Sequence, residues 1–522
     1  MKFFIELLIS FSLLDLKTHQ SGQLSPRLKK RREGSAMRVM HPLVLCLIVA
    51  CIGGCAFLPR DAGFSDVESL VAERVGEPLH WAGVSLEEEA IRLRVEALLG
   101  EPLSAAGAVR LALLNNPSLQ AELEEMGIAR ADLVRAGLLR NPVFGATLRF
   151  PEGGGGTNLE LSLVQEFLNV VQLPMRRRVA VKSFEQVKLR TVDTALTLVA
   201  DTQDAFYVAQ ASLWVTEIRS LIVDVSEAMA DVAERLHHAG NITDLDLAKE
   251  KTRYQQVRLK HMQAQAHQAL AQEQLAVLLG LAESSSMRIS PRLPELPPTA
   301  ISESGLEDRA LAQRLDLAAV RMEREILLES LGGARLAALQ PDFGLGVEAE
   351  RETDGSWLAG PKIRMNLPVF DGGGTAVDAK EGRLREALRR ERAMEVQIRS
   401  EVRQAWVRLQ HGRQEVDHYQ QVLVPLHARI MEESQLQYNA MQLGVFQLLN
   451  TKREQLEVGA LHVDARKNYW LARSRLARVV GGLLPEPEPL PVDDELEDLF
   501  GANPAPPVNT GFLSDSLERF RQ

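Results

Sequence analysis

A pattern that occurs twice constrains this chain more than any other feature: a pair of alternating strands followed by two long helical stretches. The strands are expected at about 143–150 and 158–168 in the first copy, and at about 343–351 and 357–369 in the second. Apolar residues alternate with polar ones, so each strand has one apolar and one hydrophilic face. This length and pattern favour strands of an outer-membrane barrel, although two hairpins covering a soluble core would alternate in the same way.

The hydrophilic strand faces carry charges, which in a barrel would face the lumen. The candidate lumen residues are Arg149, Glu160, Glu348, Glu350, Lys362 and Arg364. Four strands cannot close a membrane barrel, and an open edge in lipid would leave backbone groups unsatisfied. Several protomers must therefore share strands. Two protomers would enclose packed side chains and three would enclose a lumen, and the charged faces favour three.

The N-terminus is typical of an export signal if translation begins at Met37. An apolar run from Val39 to Ile52 ends at Gly53-Gly54-Cys55, small residues before a cysteine. This resembles the lipobox of bacterial lipoproteins, which implies cleavage before Cys55 and lipid attachment to that residue, with Cys51 as a weaker rival. Cleavage at Cys55 would leave one cysteine, so we expect neither a disulfide nor a cysteine metal site.

Before the first strand pair, Asn116-Pro117 should break or kink a helical region that starts near Ser104, because proline removes a helix donor. Two very long helices are expected after each strand pair. The first pair covers about 176–238 and 244–279; the second begins with about 377–442, which Pro425 interrupts, and its last helix ends near Gly481-Gly482. A helix of about 60 residues would be about 90 Å long, which suits a coiled coil or a helical tube better than a globular core.

The glycine-bearing reversals between paired helices are the second repeated feature. An ungapped alignment of these tips pairs Gly240 with Gly444 and Asp246 with Asn450. Duplication at this scale indicates one architecture made of two halves.

The domain organisation follows from these landmarks. We expect an upstream segment and signal (1–54), an extended lipid-anchored segment (55–103), a first repeat (104–282), a proline-rich linker (283–304), a second repeat (305–482) and a proline-rich, acidic tail (483–522). The tail should be irregular, with wrapping around the outside of the helices as the alternative.

Composition and motifs exclude several functions. A net charge of -10 argues against nucleic-acid binding, and no apolar run of transmembrane length follows Cys55. The glycines at 153–156 lack the lysine of a phosphate loop, and the adjacent pair His237-His238 is a poor chelate. No catalytic set stands out. We therefore expect no enzyme activity, no cofactor beyond the lipid on Cys55, and no metal site.

Together these features resemble the TolC family of outer-membrane efflux proteins, in particular lipoprotein members of the CusC and CzcC type. The resemblance covers about residues 104–482. It rests on the order of Asn115-Asn116-Pro117, Gly137 to Pro142, Gln165-Glu166-Phe167, Leu367 to Gly373 and the two tips. It implies a mainly α fold with a small β part. Long antiparallel hairpins would form a periplasmic α-barrel, and the four strands of each protomer would pool into the 12-stranded barrel of a homotrimer in outer-membrane lipid.

The resemblance also implies partners and roles. A periplasmic adaptor and an inner-membrane exporter, of the RND type or another, would dock at the tips, here Ala239, Gly240, Asn241, Leu443, Gly444 and Val445. Members often carry a D-x-L-D-like acidic run at the second tip, where this chain has Gln447-Leu448-Leu449-Asn450. The candidate periplasmic gate is therefore Asp244, Asp246, Gln447 and Asn450. Asp246 either supplies charge to the pore mouth or caps a helix.

The leading functional hypothesis is a passive trimeric duct for small toxic compounds or heavy-metal ions that a pump and adaptor hand over. Two alternatives stay open: the outer-membrane conduit of type I protein secretion, and a lipid-anchored periplasmic coiled-coil scaffold without a pore. The sequence does not identify the substrate.

Overall fold

The computed structural model describes residues 63–81, 88–150, 152, 156–166, 168–284, 287–339, 342–366, 370–482 and 484. The export signal, Cys55 and the C-terminal tail predicted from the sequence lie outside these residues. In the described part, no helix is both long and apolar enough to cross a membrane.

The elements follow one another in the same order in both halves. Helices α1 (Phe64–Val75) and α2 (Glu88–Leu99) come first. The first repeat contains α3 (Ala105–Asn115), α4 (Pro117–Gly137), β1 (Val143–Arg149), β2 (Asn158–Glu166), α5 (Leu168–His238) and α6 (Asp244–Leu279). The second contains α7 (Leu306–Gln313), α8 (Leu315–Leu339), β3 (Asp342–Arg351), β4 (Trp357–Asn366), α9 (Gly374–His418), α10 (Val424–Asn439) and α11 (Val445–Val480). The predicted fold class, mainly helical with one small antiparallel sheet, is confirmed.

The returning helices of the two hairpins reveal the true register of the repeat. Helices α6 and α11 are both 36 residues long, and both end at a left-handed glycine, Gly280 or Gly481. Their N-caps are Thr243 and Gly444. Equivalent residues are therefore 201 positions apart, and the pairing of Gly240 with Gly444 is wrong by three residues. A glycine can end one helix and begin another, and this ambiguity misled the alignment.

Gly280 packs against the break between α3 and α4, and Gly481 packs against the break between α7 and α8. In the first repeat, the Asn116 side chain caps α4 by accepting from the Leu119 N–H at 2.9 Å. The Asn116 amide also donates to the Leu278 carbonyl at 2.8 Å, and the Asn115 amide donates to the Gly280 carbonyl at 2.9 Å. The predicted break at Asn116-Pro117 is thus confirmed, and it fastens α6 to the start of its own repeat.

The proline-rich linker lies against the helices through its carbonyl groups. Proline lacks a backbone donor, so the linker is bound by side chains that donate to it. Trp470 and Arg466 both donate to the Pro294 carbonyl, at 3.1 and 2.7 Å. Arg413 donates to the Pro298 carbonyl at 2.8 Å, and Gln210 donates to the Ser290 carbonyl at 2.9 Å. The linker therefore ties α5, α9 and α11 together.

The segment before the first repeat is not extended, as the sequence suggested, but contains α1 and α2. Val67 and Val71 of α1 are fully buried in a core shared with α5. Asp66 pairs with Lys188 of α5 at 2.9 Å, and Arg74 donates to the Gly481 carbonyl at 3.0 Å. Each helix has only 12 residues, so its periodicity was too short to recognise.

Both long outgoing helices differ in detail from the prediction. Helix α5 starts at Leu168 and includes Pro174, instead of starting after it. In the second repeat, a π-helical segment, Tyr419–Leu423, separates α9 from α10. The Val424 N–H bonds to the Tyr419 carbonyl, one residue further back than in an α-helix. Pro425 supplies no N–H to the Gln421 carbonyl, and the wider turn accommodates this loss.

The close packing of Gly280 against Asn115 can be tested by substitution. A Cβ atom at Gly280 would collide with the Asn115 carbonyl oxygen, and φ there is 68°. Gly240 is a matched control, because φ is 75° but no heavy atom lies within 4 Å of the position that a Cβ would occupy. Both alanine variants suffer the left-handed penalty of about 1–2 kcal/mol. We expect Gly280→Ala to cost roughly 1–3 kcal/mol more in unfolding free energy, and equal losses in denaturation of the solubilised protein would contradict this packing.

The burial of the Asp204 carboxyl group in α5 can be tested through its effect on stability. Desolvation raises the pKa of Asp204 to about 6, partly offset by Ser474 and Arg475. Ionisation of a carboxyl group with a raised pKa opposes folding. Asp204 therefore lowers the free energy of unfolding as the pH rises from about 4 to 6 and above. We expect Asp204→Asn to raise the unfolding free energy at pH 8 by on the order of 1–2 kcal/mol after allowance for solvent screening. The gain in unfolding free energy should vanish near pH 4. A gain that does not depend on pH would contradict the raised pKa of Asp204.

Candidate functional site: the sheet and the hairpin tips

The two repeats meet in one antiparallel sheet with strand order β1-β2-β3-β4. The central pairing joins β2 of the first repeat to β3 of the second, with Leu161 opposite Ala349. On either side, Leu161 faces Ala146 of β1 and Ala349 faces Ala359 of β4. Strands β1 and β4 are thus the outer strands, each with one edge that pairs with no described strand.

One face of this sheet is apolar and open. The register brings apolar residues of all four strands into common rows, because side chains alternate along each strand. Phe144 remains 68 % exposed and Ile363 69 % exposed. The members of this face are Phe144, Leu148, Leu159, Leu161, Leu163, Phe343, Leu345, Val347, Trp357, Ile363 and Met365. A pair of hairpins covering a soluble core would bury these residues, so the exposed face contradicts that alternative.

The opposite face carries the six residues predicted to line a lumen. Arg149 pairs with Glu160 at 3.0 Å. Lys362 lies 3.5 Å from Glu160 and 3.4 Å from Glu348. These four side chains form a charge ladder across all four strands. Glu350 instead accepts from the Asn158 amide at 2.7 Å, and Arg364 lies opposite Gly344 near the helical end of the sheet.

An apolar contact on the polar face was not foreseen. Val164 is only 3 % exposed, and it lies opposite Gly346, with Gly344 two residues away on the same strand. A Cβ atom at Gly346 would collide with the Leu163 carbonyl oxygen and approach Val164. The glycines therefore make room for a valine beside the helical end of the sheet. The alternation Gly344-Leu345-Gly346 was the only sequence signal for this contact.

The first tip reverses the chain through a left-handed glycine. Gly240 has φ 75°, and its N–H donates to the His237 carbonyl at 2.9 Å. Thr243 then caps α6. The His237 Nε2 atom lies 2.7 Å from Asp244 Oδ1, which links the two arms across the reversal. The predicted docking residues Ala239, Gly240 and Asn241 thus form the apex of this hairpin.

The second tip uses a different residue for the same reversal. Met441 adopts φ 60°, the only described non-glycine residue with a positive φ, and it is 95 % exposed. Left-handed backbone is strained for such a residue. Gly444 follows as the N-cap of α11, and its N–H donates to the Gln447 side chain at 3.2 Å. Leu443, Gly444 and Val445 therefore lie beyond the apex, on the start of α11.

Three of the four gate candidates, Asp244, Asp246 and Gln447, lie in the first turns of the returning helices. Asp246 accepts from the Thr243 hydroxyl at 2.8 Å and lies 3.4 Å from Lys249. These contacts lower the pKa of Asp246, the Thr243 hydrogen bond most strongly. In the corrected register, the equivalent of Asp246 is Gln447, since both occupy the same position after the N-cap. The helix start explains both side chains, and their relation to a pore stays a prediction.

Asn450 belongs to a separate cluster one turn further along α11. Its amide donates to Glu454 at 2.7 Å, and its carbonyl oxygen accepts from Arg453 at 2.6 Å. Across the described residues, no group of three or more histidine, cysteine, aspartate or glutamate side chains is arranged to hold a metal ion.

Comparison with known proteins places this geometry in a familiar context. Residues 306–482 match the family model described as "Outer membrane efflux protein". No curated protein sequence matches significantly.

Solved structures are similar over most of the chain. A membrane protein from Pseudomonas aeruginosa aligns with TM-score 0.60 and 18 % identity, over 72 % of this chain and 92 % of that one. The outer-membrane channel OprN aligns with TM-score 0.59 and 16 % identity, over 76 % and 93 %. The Campylobacter jejuni outer membrane channel CmeC aligns with TM-score 0.58 and 14 % identity, over 76 % and 86 %. At such identities the similarity shows a shared fold.

Asp246 gives a test of the gate prediction. Asp246→Asn keeps an acceptor for Thr243 but removes the charge, so we expect a lower preference for cations in planar bilayers if this side chain lines the constriction. Asp132→Asn, which removes an exposed α4 carboxylate paired with Arg135, is the control. Identical reversal potentials for wild type and Asp246→Asn under a salt gradient would remove Asp246 from the gate.

Proposed function

We propose that this chain, which carries an outer membrane efflux protein domain in its second repeat and has the TolC-type fold, is the outer-membrane channel component of a tripartite efflux system. The observation that carries the proposal is the two-faced sheet. An exposed apolar face suits lipid, and a charge-paired face suits an aqueous lumen. A water-soluble scaffold without a pore gives no reason for both faces.

Three copies complete the channel in this proposal. The outer strands β1 and β4 each leave an edge for another strand, and a membrane tolerates no open edge. Pairing β1 of one protomer with β4 of the next would close a ring of twelve strands around a lumen. The charge ladder of Arg149, Glu160, Glu348 and Lys362 would then line that lumen without a large net charge.

The helical hairpins would extend the duct into the periplasm. Helix α5 has 71 residues, which corresponds to about 105 Å at 1.5 Å per residue. The two tips would then reach a periplasmic adaptor and, through it, an inner-membrane exporter of the RND type or another. Transport through the duct is passive and needs no cofactor, since the inner-membrane partner supplies the energy.

The proposal includes attachment to the outer membrane through lipid on Cys55. The apolar run that ends at Gly53-Gly54-Cys55 supports this modification. The proposed cargo comprises small toxic compounds or heavy-metal ions.

A matched pair of lysine variants tests the assignment of the apolar sheet face to lipid and of the polar face to the lumen. Leu161 and Ser162 are neighbours in β2 but lie on the apolar and polar faces, respectively. We expect Leu161→Lys to impair assembly in membranes, because lysine at mid-membrane costs about 2–4 kcal/mol on a lipid-facing strand. Ser162→Lys should assemble, with a changed ion selectivity. The measurements are outer-membrane yield and single-channel conductance; equal tolerance of both variants would contradict the assignment.

Resistance assays test the physiological part of the proposal. A strain lacking this gene should become more sensitive to copper, zinc or common drugs, and wild type or Ser162→Lys should restore resistance. Leu161→Lys should not. Unchanged sensitivity to every compound, together with an intact conducting channel, would favour a different cargo.

A further inference from the structure

The C-terminal ends of the two returning helices, α6 and α11, are fastened differently. At the end of α6, the side-chain amide of Asn115, the last residue of α3, donates to the Leu279 and Gly280 carbonyls at 2.9 Å each. The Asn116 amide donates to the Leu278 carbonyl at 2.8 Å. The first repeat therefore supplies the donors for the end of its own returning helix.

In the second repeat, the side chains at the equivalent places turn away from the returning helix. Gln313 ends α7 and Arg314 caps it, in the places that two asparagines hold in the first repeat. The Gln313 side-chain oxygen accepts from Arg309 at 3.0 Å, and Arg314 donates to Asp316 at 2.6 Å. No hydrogen bond between described residues joins either side chain to the end of α11.

A helix that precedes both repeats supplies the donor instead. Arg74, in the last turn of α1, donates through Nη1 to the Gln313 carbonyl at 2.6 Å and to the Gly481 carbonyl at 3.0 Å. The Gly481 carbonyl is equivalent to the Gly280 carbonyl that Asn115 binds, because the two glycines lie 201 positions apart and cap matching helices. Arg74 thus does for α11 what Asn115 does for α6.

The charge of Arg74 suits its place between two helix ends. Gln313 is the last residue of α7, and Gly481 follows the last residue of α11. The C-terminal end of a helix carries partial negative charge, so two such ends together attract a cation. Burial lowers the pKa of Arg74, whereas Glu73 and Asp193 raise it, and a guanidinium group stays charged at neutral pH.

Residues 63–81, which we call the N-terminal strap, are anchored on the first repeat. Glu77 accepts two hydrogen bonds from Arg110 of α3, at 2.8 and 2.9 Å. Trp81 is buried and donates to Glu124 of α4 at 3.0 Å. The strap is thus bound to the first repeat while its Arg74 side chain reaches the second.

From this arrangement we infer that the N-terminal strap locks the second repeat, with Arg74 as a positioning residue that fills a guanidinium site between the ends of α7 and α11. The first repeat fastens its own returning helix, whereas the second depends on a residue 407 positions earlier in the chain. Displacement of the strap would loosen the end of α11 and leave the end of α6 fixed. The inference goes beyond the proposed function, because it concerns neither a pore nor its cargo.

Three variants separate this lock from a general loss of stability. Arg74→Ala removes the donor to the end of α11. Asn115→Ala is the matched variant at the end of α6. Arg110→Ala is the control, because it removes an exposed contact of the strap with Glu77 and leaves Arg74 in place.

Hydrogen exchange in the full chain, solubilised in detergent micelles, reports the two helix ends separately. The Gly481 and Gly482 N–H groups bond back to the last turn of α11, and the Gly280 and Leu281 N–H groups bond back to the last turn of α6. Their exchange rates therefore measure how firmly each end is held.

We expect Arg74→Ala to speed exchange at the end of α11 at least about tenfold, the effect of losing a hydrogen bond to a charged group. Exchange at the end of α6 should stay as in wild type. Asn115→Ala should show the reverse pattern, and Arg110→Ala should match wild type at both ends.

Chemical rescue distinguishes a guanidinium site from a general structural role of Arg74. Guanidinium chloride at about 20 mM is too dilute to denature the protein, and its cation is the head group that Arg74→Ala lacks. We expect it to slow exchange at the end of α11 in this variant about threefold, which corresponds to a Kd of about 10 mM. Urea at the same concentration should have no effect.

Arg74→Lys takes the place of Arg74→Ala if the alanine variant does not fold. It keeps the charge but not the planar fork, so exchange at the end of α11 should still exceed that of wild type. Wild-type exchange there in every folded Arg74 variant, equal acceleration at both helix ends, or no rescue by guanidinium would overturn the lock. Because no property of a pore is measured, the result is independent of whether the chain forms a channel.

Discussion

The whole arrangement depends on a four-stranded sheet whose two faces require different surroundings. One face exposes phenylalanine, leucine and isoleucine side chains, and the other carries a ladder of ion pairs. No single solvent satisfies both faces. The outer strands add a further requirement, because their free edges need partners in a membrane. The proposed membrane insertion and association of copies would therefore both depend on this one small element.

The helices serve this sheet by holding its two halves together. Strand β2 belongs to the first repeat and β3 to the second, so the sheet forms only when both repeats are correctly placed. The linker carbonyls bind Trp470 and Arg466 of α11 and Gln210 of α5. Arg478 of α11 adds an ion pair to Asp193 of α5 at 2.9 Å. Side-chain donors, which suit a segment poor in backbone N–H groups, thus fix the relation between the repeats.

Much of this architecture could be predicted from local sequence because each signal was strong and close in the chain. Strict alternation predicted the strands and their faces, including the placement of Arg149, Glu160 and Lys362 on one side. Asn116 followed by Pro117 predicted a helix break, and the structure adds the reason for it: the Asn116 amide reaches the Leu278 carbonyl. A distant carbonyl of this kind leaves no trace in the local sequence.

The wrong repeat register and the missed helices α1 and α2 also result from contacts that the local sequence does not show. Gly240 adopts a left-handed backbone whereas Gly444 is an extended N-cap, so aligning the two glycines shifted the repeats by three residues. That shift also paired Asp246 with Asn450 instead of with Gln447. Helix α1 is stabilised by packing against α5 and helix α2 by packing against α3, and no periodicity in 12 residues reveals these contacts.

The central claim, that the apolar face contacts lipid while the opposite face contacts water, is tested most directly by nitroxide labels at Leu161→Cys and Ser162→Cys in proteoliposomes. Collision rates with oxygen and with a water-soluble nickel complex report the surroundings of each label. We expect the label at 161 to be accessible to oxygen and protected from nickel, and the label at 162 to show the opposite pattern. Two labels equally accessible to nickel would contradict it.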